Sequence, residues 1–260
     1  MGAPLNNPPV YFTVVQVRFN PILKLADFLP VIQESFRHVR FPDFAKHTTM
    51  AIKVNLKDGQ VTPTPEAQER YVFGNAAKTH SFILDANSLT LQSTDYGRFE
   101  SFSDEFLKGL ARIHETIQLD FTERVGLRYL DRIIPLADND LRKYLVAEAL
   151  GLSAKLGGNP VHSFCETLTV VRGIKLASRV ITQSGPLVFP PDLMPLGLEV
   201  AERFKVHQGL HAILDNDGFF EGREAYSADT VHDHLSAIHE VIGTAFRSVA
   251  TKFAFEKWNE

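Results

Sequence analysis

Three arginines at every fourth position, Arg124, Arg128 and Arg132, are the residues of this chain whose type and spacing most directly suggest chemistry. On an extended strand, even spacing puts all three on one face, with Val125, Leu127 and Tyr129 on the other. A row of planar, permanently charged forks suits recognition of phosphate or carboxylate. The plain alternative is a solvated strand face whose charges pair with Asp and Glu of neighbouring strands. If a pocket forms, Arg128 is expected at its floor, because Gly126 on the same face leaves a gap beside it. A second group combines Asp215 and Asp217 with His232 and His239. Two carboxylates and two imidazoles could hold zinc or manganese if the elements carrying them converged. No His-Glu-x-x-His or similar ligand spacing accompanies them, and His239 beside an apolar stripe favours a hydrogen-bonded packing role.

Other chemistries lack their residues. Asp215-Asn216-Asp217-Gly218 begins like a calcium loop, but Tyr226 stands where the closing glutamate belongs, so the stretch reads as a turn. Gly151 to Gly158 lacks the ending of a phosphate loop, and no Gly-x-Ser-x-Gly elbow presents a serine. The single cysteine, Cys165, excludes an internal disulfide or a multi-thiolate site and is expected in a strand as a small apolar residue. No cofactor is implied. Phe255 and Trp258 in the tail are candidate anchors for a partner, since aromatics dominate interface hot spots. The alternative is that both seal the edge of the core.

Periodicity indicates the elements that must position these residues. Alternation predicts strands at Val10–Phe19, Thr48–Leu56 (with a turn at Asp58-Gly59), Arg70–Ala76, Ser81–Leu84, Ser88–Thr94 and Arg124–Pro135. Helical stripes fall on Leu25–Val39 and on a segment capped at Ser103. The order strand, helix, strands, helix, strand is a ferredoxin-like pattern with a hairpin added. Beyond it come a helix at Leu141–Leu150, strands at Ser163–Val171 and Lys175–Thr182 joined at Arg172-Gly173, and a loop with four prolines at Gly185–Pro195. Leu198–Val206, strand or short helix, and a strand at Leu210–Asp215 precede a long helix capped by Ser227. The fold class expected is α+β, two antiparallel-sheet halves with packed helices. The division falls near residue 136, giving a ferredoxin-like half at 1–136 and a second half at 137–260 that ends in a long helix and aromatic tail.

With 27 basic and 31 acidic residues among 260, the net charge of -4 disfavours a dedicated nucleic-acid binder. No apolar run approaches the ~18–20 residues that span a bilayer. The opening Met1 to Pro9 has neither a basic nor an apolar signal segment, so a cytoplasmic protein is expected. The stretch Arg124–Ile133, RVGLRYLDRI, resembles the signature strand Arg-x-Gly-Leu-Arg-Tyr-x-Asn-x-Ile of a sporadically distributed family of uncharacterised prokaryotic proteins. Pro8-Pro9, Thr94-Asp95-Tyr96, Leu214-Asp215-Asn216-Asp217, His239, Phe246, Thr251 and Trp258 are similar to further pieces of that family, whereas Asp131 replaces its usual Asn. The resemblance implies a bacterial or archaeal protein from mobile cargo such as antiviral defence or toxin–antitoxin loci. The functional expectation is a non-enzymatic protein-interaction module whose partner is another protein, with a homo-oligomer compatible. The alternatives are a metal- or histidine-dependent hydrolase acting on nucleotides and an RNA-binding protein with duplicated ferredoxin-like halves.

Overall fold

A computed structural model describes residues 5–57, 60–135, 140–156, 158, 160–193 and 195–260, with side chains described for all of these except 49–67. The turn expected at Asp58-Gly59 lies outside the described residues. Apolar–polar alternation and β-branched content produce β1 (Val10–Phe19), β2 (Asp43–Lys57), β3 (Gln60–Gly74), β4 (His80–Asp85), β5 (Ser88–Ser93) and β6 (Phe121–Ile133). They are followed by β7 (His162–Val171), β8 (Ile174–Ser184) and β9 (Leu210–Ala225). The main helices are α1 (Leu25–Arg37) and α2 (Phe99–Ile117). Short helices α3 (Ala147–Leu150), α4 (Ser153–Leu156) and α5 (Glu202–Lys205) precede α6 (Ala228–Val249) and α7 (Lys252–Trp258). Among the described residues, no helix is long and apolar enough to cross a membrane.

The fold is α+β. The nine strands among the described residues form one antiparallel sheet in the order β2-β3-β4-β5-β1-β6-β9-β8-β7. The sheet runs unbroken across the division expected near residue 136, because β6 pairs with β9 from Phe121↔Ala225 to Ile133↔Ala212. Side chains on one face, including Val15, Val17, Leu89, Leu91, Val125 and Leu127, are buried with the inner stripes of α1, α2 and α6. The opposite face is partly covered by the proline-rich loop, whose Phe189 packs edge-on against Tyr11 and Phe12.

Local structure departs from the sequence reading in three places. Ser103 is not a helix cap: α2 begins at Phe99 after Gly97 (φ 66) and extended Arg98, and the Ser103 hydroxyl donates to the Glu100 carbonyl inside the helix. Leu141–Leu150 is not one helix. Its middle is extended and tied to the end of α6, with Val146 N–H donating to the Val249 carbonyl and Thr251 N–H to that of Tyr144. Asp215-Asn216-Asp217-Gly218 is not a turn but the middle of β9. Its acids face arginines of neighbouring strands, and a Cβ on Gly218 would come within 2.7 Å of Ile238 in α6.

Candidate functional site

Parity along β6 sends Arg124, Arg128 and Arg132 to the face away from the helices, but their surroundings differ. Arg128, 7% exposed, grips the fully buried Asp215 with two parallel hydrogen bonds of 2.6 and 2.7 Å. It also donates to Asp192 of the proline-rich loop at 2.5 Å, and Arg179 reaches the same Asp215 at 3.3 Å. Burial opposes the charge on Arg128, yet the bonds to Asp215 and Asp192 win and push its pKa upward. The same contact with Arg128 holds Asp192 below the usual carboxylate range.

Arg124 reaches Gln16 at 3.4 Å and Asp217 at 3.7 Å, and its guanidinium lies 4.5 Å from the Phe219 ring centre. That guanidinium covers Gly126, where a Cβ would stand 2.6 Å from Nη1. Burial, opposed by Arg124, raises the pKa of Asp217. Arg124, Gly126, Arg128 and Asp192 line a cavity of about 270 Å³. Arg132 does not extend the row as a ligand fork. It is 2% exposed and donates to the carbonyls of Phe204, Gly185 and His207, fastening the loop that precedes β9.

The proposed metal ligands do not converge. Asp215 and Asp217 share the open face with the arginines, whereas His239 lies on the helix side of the sheet. There its Nδ1 meets the Tyr129 hydroxyl at 3.2 Å and its ring stacks on Phe99 at 4.1 Å. His232 is exposed on α6. Among the described residues, no three His, Cys, Asp or Glu side chains are grouped to hold an ion. The tail aromatics are also committed internally. Trp258, 8% exposed, stacks on Phe246 at 5.6 Å and meets Phe255 edge-on, while its carbonyl accepts from Asn7 at 2.7 Å. In this conformation Trp258 seals the core instead of presenting an anchor.

Sequence spacing gave no sign of a cleft on the helix side. The hydroxyls of Tyr96 and Tyr129 are 2.7 Å apart, and Tyr129 continues to His239, joining residues from a loop, β6 and α6. Tyr96, His239 and Phe246 are among the residues lining a cavity of about 1,020 Å³. Burial raises the pKa of both tyrosines and lowers that of His239, favouring the neutral imidazole. Asp131, on the same face of β6 as Tyr129, is pushed up to about 7 by burial. Aromatic walls with a few polar groups of shifted pKa are features that ligand-recognition sites share. No protein-family model matches the chain, and no curated protein matches it.

Proposed function

We propose that the chain is a protein-interaction module, without covalent chemistry of its own, that pairs through β7. The observation carrying this reading is the edge of the sheet. β7 is its last strand, and Phe164, Leu168 and Val170, on one face, are 54%, 65% and 64% exposed. A long edge strand bearing apolar side chains is a template for another strand. The occupant is a second copy of the chain. Antiparallel pairing about Thr169 sets Leu168 opposite Val170 of the other copy. The strand is thus complementary to itself in apolar contact, as a two-fold interface requires.

The satisfied acids support a role outside catalysis. Both Asp215 oxygens are held by Arg128, Asp217 is paired with Arg124 at 3.7 Å, and His239 lies across the sheet from both acids. The order β4-β5-β1-β6, with α1 and α2 packed together, supports a ferredoxin-like reading of residues 10–133 with β2–β3 inserted. An RNA-binding role has less support, since Arg128 and Arg132 are internally satisfied. The prokaryotic defence setting rests on the resemblance of Arg124–Ile133.

Light scattering across a concentration series tests self-pairing. The wild type is expected to dimerise, and Leu168→Lys to be monomeric with an unchanged melting curve. A wild type that is monomeric throughout overturns the pairing. Nucleotide turnover lost in Asp217→Asn overturns the absence of chemistry.

A further inference from the structure

We infer that the cleft between α2, α6 and α7 binds a small organic carboxylate with an apolar body. Its volume of about 1,020 Å³ is ample for a small molecule, and Phe99, Phe246 and Phe255 supply aromatic walls. Among the polar side chains that line it are His239, Arg247 and Arg98. The hydrogen-bond order that lets Tyr96 donate to Tyr129, and Tyr129 to Nδ1 of His239, leaves the imidazole proton on Nε2. With Nδ1 taken by Tyr129, Nε2 is the ring's remaining polar atom, on a side chain lining the cleft. Arg247 folds back along α6 over Gly243, where a Cβ would be 3.2 Å from its Nη1, and among the described residues its side chain bonds only Thr244, at 3.3 Å. Arg98, which follows Gly97 (φ 66), lines the cleft as well.

Charge decides the ligand class. Glu100 and Glu240 also line the cleft, but Glu240 lies 3.6 Å from Arg172 and Glu100 complements the first turn of α2. Among the described residues, neither Arg98 nor Arg247 has a carboxylate within ion-pair distance. The unfilled forks are therefore cationic. A carboxylate matches a guanidinium fork in plane and spacing and accepts from an imidazole N–H, while an alkyl or aryl body covers the aromatic walls.

Calorimetric titration of the full chain at constant ionic strength with octanoate, octanol and acetate tests the assignment. Octanoate is expected to saturate one site, with octanol and acetate much weaker. Arg247→Gln and Arg98→Gln, both at exposed positions, should each weaken octanoate by about tenfold, the effect typical of losing a charged hydrogen bond. Octanol binding as tightly as octanoate, both variants binding octanoate like wild type, or no saturable octanoate binding overturns the site.

Discussion

Asp131 offers the sharpest test of the energetics, because its substitution by Asn removes a titratable proton at almost constant shape. The residue is 6% exposed on the helix-side face of β6, and burial alone pushes its pKa from 3.8 to about 7. Unfolded, the carboxyl ionises near pH 4; folded, it keeps its proton until near pH 7. Between those values the folded state binds more protons, so this group makes stability fall as pH rises. Raising a pKa tenfold in proton affinity is worth about 1.4 kcal/mol, so the penalty in force above pH 7 is about 4 kcal/mol, an upper value if water or side chains relax around the charge. At about 2.1 cal/mol/K per residue, a chain of this size has an unfolding entropy near 0.55 kcal/mol/K, so Asp131→Asn should melt up to about 7 °C higher than wild type at pH 8. Urea denaturation of both proteins at pH 4 to 8 provides the assay. His80, His211 and His239, whose pKa values burial lowers, titrate in both proteins and cancel in the difference. The difference curve should rise steadily from pH 4 to 7 and then level. Parallel stability curves for the two proteins would refute the buried, proton-retaining carboxyl.

Two further predictions concern the open face and its support. Asp215→Asn should cost about 3 kcal/mol, the lower end for breaking a buried pair because Arg128 keeps Asp192, whereas Asp192→Asn, at an exposed carboxylate, should cost under about 1 kcal/mol; equal losses in denaturant melts would refute the assignment of Asp215 as the buried partner. Gly218→Ala should cost about 1–3 kcal/mol by pressing on Ile238 and Ile242, while Gly126→Ala, which displaces only the Arg124 guanidinium at the end of its flexible side chain, should cost about 1 kcal/mol or less, with the same melts ranking the two.

The elements whose pattern follows from a single period were legible. Alternation marks β1 and the core of β6, and the three-and-four spacing of Val231, Leu235, Ile238 and Ile242 marks α6, with Ser227 accepting from Thr230 N–H as its cap. What misled was composition read without partners. Asp-Asn-Asp-Gly has the residues of a turn, but its acids are offset by arginines on β6 and β8, and its glycine is required by the close approach of α6. The common face of Arg124, Arg128 and Arg132 follows from parity. Their fates do not, because Asp192, Gly185, Phe204 and His207 arrive from 53 to 75 residues away. The Tyr96–Tyr129–His239 chain spans gaps of 33 and 110 residues, which no local spacing rule encodes.

The two proposed sites meet at one ion pair. Arg172, in the β7–β8 turn, lies 3.6 Å from Glu240 at the cleft, and both are largely exposed. If pairing at the end of β7 displaces Arg172 from Glu240, that acid loses its partner and adds negative charge beside Arg98 and Arg247. Dimerisation would then weaken carboxylate binding, and by linkage the carboxylate would weaken dimerisation by the same factor. An exposed pair is worth at most about 1 kcal/mol, which caps the coupling near fivefold. Larger coupling would need movement of α6. That is costly, because Val231, Leu235, Ile238 and Ile242 are buried in the same core as β6 and β8. Pairing at the edge and recognition in the cleft should therefore act almost independently, each lost by its own substitutions and only slightly affected by those of the other.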